Sequence, residues 1–155
     1  MTETCGFNIS RATLADLDAV APLFDAYRVF YGKWSDIAAA RAFLHERLVN
    51  DESVVLLARD DASGIGLGFT QLYPSFSSVA ARRLWILNDL FVAEFARRRG
   101  VARALMQSAR EHALQTGAIR LTLQTERRNV QAQALYESLG YVRQEGLMLE
   151  YALEL

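Results

Sequence analysis

The sequence is most informative first in what it lacks. A single cysteine, Cys5, leaves no partner for an intrachain disulfide and fits a reducing cytoplasm. No histidine can be argued as its partner, so Cys5 reads as a terminal residue and not as a nucleophile. The two histidines, His45 and His112, each sit in a helical pattern without a second ligand at metal spacing, so no metal is expected. The N-terminus lacks a basic start followed by an apolar core, and no apolar run approaches membrane-spanning length. A formal net charge of −1 argues against electrostatic binding of nucleic acid by the whole surface. Internal repeats, low-complexity segments and linkers are also missing. At 155 residues and 52% hydrophobic, the chain suits one domain with a real core.

What is present centres on Arg97-Arg98-Arg99-Gly100-Val101-Ala102. Before it, Leu84 to Val92 is apolar almost throughout, which predicts a strand buried on both faces. After it, Val101, Leu105, Ala109 and Ala113 recur every fourth residue, which predicts a helix with one buried stripe. A glycine between strand and helix lets the backbone approach a ligand closely. The free N–H groups and positive dipole at a helix start make an anion site, and three arginines add attraction, so the loop reads as a pyrophosphate cradle. A solvated basic patch or a nucleic-acid contact is the alternative, disfavoured because the flanks place the run at a helix start. The stretch lacks the Gly-Lys-Ser/Thr of a P-loop. Gly64-Ile65-Gly66-Leu67-Gly68 leads into a strand pattern, so those glycines read as a hairpin turn and not as a dinucleotide fingerprint.

The pattern Arg97-x-x-Gly100-x-Ala102 after Leu90-Phe91-Val92 resembles motif A of the GNAT family of N-acetyltransferases. Asn129-x-x-Ala132-x-x-Leu135-Tyr136-x-x-x-Gly140-Tyr141 resembles the family's motif B, and the resemblance spans roughly residues 54 to 145. It implies an acyl-CoA N-acyltransferase fold: a mixed, mostly antiparallel sheet with helices on both faces and a splayed strand pair. The strand before the cradle would carry a bulge near Asn88-Asp89, and the gap beside it would take the pantetheine arm of acetyl-coenzyme A. The cofactor-binding residues so implied are Leu90, Phe91, Val92, Arg97, Arg98, Arg99, Gly100, Val101, Ala102, Arg103 and Asn129. Homodimers are common in the family.

The remaining elements follow from periodicity and punctuation. A strand at Phe7–Arg11 precedes a helix opened by a capping box of Thr13 and Asp16, whose face is Leu17, Val20, Ala21, Phe24 and Tyr27. After Gly32 a second helix runs from about Asp36 to Val49. Strands are predicted at Ser53–Arg59, at Gly66–Tyr73 closed by Pro74, at about Arg83–Ala93, and at Ala118–Thr125. Asn129 caps a helix stopped by Gly140, and two last strands are predicted at about Tyr141–Glu145 and Leu147–Leu153.

Acetyl transfer to an amine asks for a proton acceptor, a donor for the developing oxyanion and an acid for the departing thiolate; it requires no covalent nucleophile. Tyr136 shares a helical stripe with Ala132, Leu135 and Leu139. The resemblance makes it the thiolate-protonating acid, and otherwise it is a core tyrosine. Asn88 and Asp89 interrupt an apolar strand. Asp89 is a candidate to take the amine proton or attract a cation, with a hydrogen-bonded bulge residue as the alternative. Leu87-Asn88-Asp89-Leu90-Phe91-Val92 resembles the diamine and polyamine branch, typically Leu-Glu-Asp-Phe-Phe-Val. Asn88 stands where that branch has glutamate, and an amide cannot be a general base. Tyr31, Trp34, Gln71, Tyr73 and Phe76, with Asn88, are candidate walls for an acceptor pocket, with ordinary core aromatics as the equal alternative. The expected function is N-acetylation of a primary amine, either a diamine or polyamine or a protein lysine. A non-catalytic coenzyme A sensor is the alternative, and a nucleic-acid module a distant third.

Overall fold

The computed structural model describes residues 6–146 and 149–155, so Cys5 lies outside the described residues. Contacts divide the chain into two compact units, Met1–Gln124 and Thr125–Leu155.

The first unit is a five-stranded sheet in the order β1-β2-β3-β4-β5. Its strands are β1 (Phe7–Arg11), β2 (Val54–Asp60), β3 (Gly66–Ser77), β4 (Arg82–Val92) and β5 (Leu121–Thr122). The first three pairings are antiparallel and β4–β5 is parallel, which makes the sheet mixed. Its helices are α1 (Leu17–Phe30), α2 (Ile37–Val49) and α3 (Val101–Gln115).

The capping box forms at Thr13: its hydroxyl accepts from Ala15 N–H, and its own N–H donates to Asp16 at 2.7 Å. Asp36 caps α2 by accepting from Ala39 N–H, and buried Asp25 anchors the loop ahead of it by accepting from Ser35 Oγ and Asp36 N, both at 2.7 Å. The glycines between β2 and β3 do make a turn, with Gly64 in the left-handed region and its N–H bonded to Asp60 O.

Register assigns the helices to opposite faces. Phe24 and Tyr27 of α1 meet the Phe69 ring edge-on at 6.0 Å. His112 of α3 packs on Trp85 at 4.9 Å. Trp85 and Leu87 oppose Pro74 and Leu72, so they share the face of the even-numbered β3 residues, while Phe69, Gln71 and Tyr73 occupy the other. The core fills both interfaces, with Phe69, Leu57, Leu72, Leu105 and Met106 fully buried.

Several expectations are corrected. Pro74 does not close β3, which continues to Ser77. Because the β2 ladder reaches no further than Val54, opposite Leu72, β3 has only β4 as a neighbour at Pro74 among the described residues, and the missing N–H can face the open side. β4 is not buried on both faces: Trp85, Leu87 and Asp89 are buried, while Leu84, Ile86 and Leu90 are only partly covered. β5 keeps two residues of the eight expected, because Trp85 and Ile86 are its only ladder partners among the described residues.

The second unit contains α4 (Val130–Ser138), capped by Asn129 Oδ1, which accepts from Ala132 N–H at 3.1 Å. Its least exposed face carries Ala132, Leu135, Tyr136 and Leu139, and Gly140 ends it with φ 90°. Neither terminal strand appears: residues 141–146 and 149–155 carry no ladder, and the start of the second predicted strand lies outside the described residues. Alternating side chains permit a strand, but only a partner's backbone makes one.

Candidate active site

The site is built around a one-residue insertion in β4. Gln71 pairs with Asp89, but the next β3 residue, Leu72, pairs with Leu87 and skips Asn88. This is the bulge that the resemblance implied. Were β4 to run through Asn88 in regular pairing, Asp89 would have the parity of Trp85 and Leu87 and point at α3. Because the bulge takes up Asn88, Asp89 lies on the α1 face, beside Gln71 and on the side of Tyr73.

Asp89 is only 3% exposed, yet it is well supplied with donors. Gln71 Nε2 donates to Oδ2 and Asn88 Nδ2 to Oδ1 at 2.9 Å. The backbone carbonyl of Asp89 accepts from Thr70 Oγ1 at 2.8 Å, which fixes the bulge from the other side. Burial pushes the carboxyl above its ordinary range, and Gln71, Asn88 and Tyr27 oppose that shift. The same burial, with the Asp89 charge, pushes the Tyr27 phenol far up and that of Tyr73 up to about 12. Both hydroxyls therefore keep their protons at neutral pH. Gln71 is fully buried, and because its amide nitrogen is committed to Asp89, its Oε1 is left without a hydrogen-bond partner. A carboxylate and an unpaired amide oxygen stand together on one face.

Tyr27 is the residue that sequence reasoning missed. It reads as one more apolar position on the α1 stripe, yet its phenol is among the groups that hold the Asp89 pKa down against burial. The Tyr31 ring packs edge-on against it at 5.0 Å. Trp34 is not brought into the cluster and stands 94% exposed between α1 and α2. Phe76 is also exposed, far along the β3–β4 hairpin, with the Arg83 guanidinium over its ring.

At the other end of β4 the chain passes through Arg97–Gly100 into α3. Gly100 is the N-cap, left-handed at φ 80°, and a Cβ there would meet open space. No side chain caps α3, so its first backbone N–H groups point out of the helix end. Arg98, at φ 64°, is also left-handed. The arginines divide their roles: Arg97 Nε reaches back to Val92 O at 3.4 Å, and Arg99 forms an ion pair with Asp60 at 3.2 Å. Along β4 the β5 pairing stops at Ile86, so the edge from Leu87 to Val92, including Leu90 and Phe91, has no strand beside it among the described residues. An uncapped helix start and an unpaired strand edge, joined by one loop, fit a long ligand with a phosphate part and an amide-bearing arm.

Residues 20–141 match the acetyltransferase (GNAT) family. The chain belongs to that family. It is 50% identical over 141 residues to the uncharacterized N-acetyltransferase YhfO of Bacillus subtilis (strain 168), covering 91% of this chain and 93% of that one. A crystal structure of a probable acetyltransferase, 47% identical, superposes with a TM-score of 0.89 over 96% of this chain and 97% of the other. An aminoglycoside acetyltransferase from an uncultured soil metagenomic sample, solved with sisomicin, shares the fold at 18% identity, with a TM-score of 0.80 over 96% and 97% of the two chains. Acetyltransferases of this family take their acetyl group from acetyl-coenzyme A. The uncapped α3 start and the open β4 edge fit that co-substrate. Asn129 and Tyr136 lie in the second unit, where Asn129 is the α4 cap and the Tyr136 ring lies 6.2 Å from that of Tyr141.

Proposed function

We propose that the protein moves an acetyl group from acetyl-coenzyme A directly to a primary amine while both substrates are bound. Acetyl-coenzyme A supplies an acyl group activated as a thioester. The observation that carries the reading is the pairing of the Asp89 carboxylate with the unpartnered Oε1 of Gln71. Two acceptors side by side suit a group rich in N–H, and a primary amine arrives with three such bonds as an ammonium. Asp89 receives one proton from it and leaves the nitrogen a lone pair for the acyl carbon. Tyr73 and Tyr31, with Asn88, supply aromatic and polar walls. Trp34 remains a candidate wall for a larger acceptor.

The first N–H groups of α3, from Val101 and Ala102 on, hold the pyrophosphate, with Gly100 keeping the approach clear. Arg97, Arg98, Arg99 and Arg103 add positive charge, and Asn129 is assigned to the cofactor through its match to motif B. Leu90, Phe91 and Val92 present backbone groups to the pantetheine amides. Tyr136 is assigned the protonation of the departing thiolate, on its motif position. The acceptor class is a diamine or polyamine, or a lysine side chain of a protein. A cytoplasmic homodimer belongs to the same proposal; among the described residues no helix is long and apolar enough to cross a membrane.

The test is release of free thiol from acetyl-coenzyme A with a panel of spermidine, short diamines, amino acids, aminoglycosides and a lysine peptide. Thiol release with at least one primary amine is expected. Tight binding of coenzyme A with no release on any amine would favour the sensor reading instead.

A further inference from the structure

We propose that Asp60 is a positioning residue for coenzyme binding: its ion pair with Arg99 straps the loop 97–100 to the turn between β2 and β3 and so fixes the entrance of α3. The inference rests on the reading of that loop as the pyrophosphate cradle.

Three observations support it. The loop needs holding: Arg98 is left-handed at φ 64° without being glycine, a conformation that persists where the surroundings impose it. The N–H groups of Arg98, Arg99 and Gly100 find no acceptor among the described residues, so the loop is tied down through side chains. Of the two arginines that do this, Arg97 reaches Val92 O at 3.4 Å, a long bond, while Arg99 reaches Asp60 Oδ1 at 3.2 Å with charge on both partners. The anchor, in turn, is rigid. Asp60 Oδ2 accepts from Ser63 N and Oγ, both at 2.9 Å, its N–H donates to Ile65 O, and its carbonyl accepts from Gly64 N. The bonds from Ser63, with that from Arg99, hold the carboxyl below its ordinary range, so it is ionised at neutral pH. The pair is also partly shielded from water: its Arg99 and Asp60 side chains are 38% and 20% exposed, and the Arg99 guanidinium lies 3.5 Å from where a Gly6 Cβ would stand. By charge alone a carboxylate beside an anion site weakens it, so a strap and a bare charge predict opposite effects when Asp60 is neutralised.

The experiment is calorimetric titration of coenzyme A into the wild type, Asp60→Asn, Arg99→Gln and the double variant. Each single change should weaken binding by about three- to tenfold, and the double should bind no more weakly than Arg99→Gln alone. Where an amine is acetylated, KM for acetyl-coenzyme A should rise in Asp60→Asn while kcat is kept. Unchanged or tighter binding in Asp60→Asn would overturn the proposal and leave Asp60 a turn residue. Additive losses would overturn it as well, since Asp60 and Arg99 would then act separately. Gly100→Asp in the same titration tests the reading beneath. If it binds as the wild type does, the cradle itself falls; a loss there with none in Asp60→Asn removes only the strap. If Asp60→Asn does not fold, the salt dependence of Arg99→Gln decides. A lost strap keeps its deficit at high salt, whereas a deficit that is screened away marks a lost charge and overturns the proposal.

Discussion

At the scale of single residues we propose that Asp89 and Tyr136 carry the chemistry, and they stand on different ground. Asp89 is defined by its surroundings: burial opposes its charge, and the amides of Gln71 and Asn88 donate to it. Tyr136 is defined by its place in α4, on the stripe with Ala132 and Leu135. Replacing Tyr136 by Phe keeps the ring beside Tyr141 and deletes only the hydroxyl. If that hydroxyl protonates the thiolate, turnover should fall by roughly tenfold to a thousandfold, within or just below the general-acid range. Stability should change by about 1 kcal/mol or less, the worth of one hydrogen bond. Steady-state kinetics beside a melting curve separates the two roles: full turnover with weakened folding would make Tyr136 a core residue.

At the scale of elements, the bulge in β4 and the start of α3 do the positioning. Deleting Asn88 restores strict alternation with Asp89 still opposite Gln71 on the α1 face, and removes the Asn88 bond to its Oδ1. The deletion should therefore fold and keep more activity than Asp89→Asn, losing roughly the 1.5–3 kcal/mol of one hydrogen bond to a charged group; a deletion as inactive as Asp89→Asn would show that the extra residue is itself needed to place the carboxylate. Gly100 offers a cleaner contrast, because Asn and Asp both tolerate its left-handed backbone while only Asp brings charge. Gly100→Asn should keep most of the thermal shift given by acetyl-coenzyme A, and Gly100→Asp should lose it. Equal shifts in both variants would remove the cradle. Gly68 has another reason to be glycine: a Cβ there would lie 2.7 Å from Phe91 O, so β3 and β4 could not pair at that register.

What was legible in the sequence follows from which forces are local. Helix caps at Thr13 and Asn129, the turn at Gly64 and the buried stripe of α3 depend on neighbours a few residues away, and all are readable from spacing. Lengths of strands depend on partners far along the chain. Pro74 was read as a stop because the end of β2 opposite Leu72 is invisible locally, and β5 was overextended because its short ladder is set by β4. In the site, Asn88 and Asp89 are nameable as polar groups in an apolar strand, and Gln71 as a candidate pocket wall. Tyr27 is not, since a tyrosine on an amphipathic stripe looks the same whether its phenol faces water or acts on a buried carboxylate.

For the whole molecule, the parts converge on one reaction. The uncapped α3 start and open β4 edge fit acetyl-coenzyme A, and the bulge within the same strand sets Asp89 beside Gln71, where we propose that the amine binds. No nucleophile is required between them, so the acetyl group should pass directly. Mass spectrometry of a complete reaction reads this most directly. The protein is incubated with acetyl-coenzyme A alone, then with the best amine of the panel, and amine, coenzyme and protein masses are all followed. The expected result is one acetylated amine for each free coenzyme A, with the protein mass unchanged in both incubations. An acetylated protein whose acetyl group then passes to the amine, or free coenzyme A formed without an acetylated amine, would contradict direct transfer at this site.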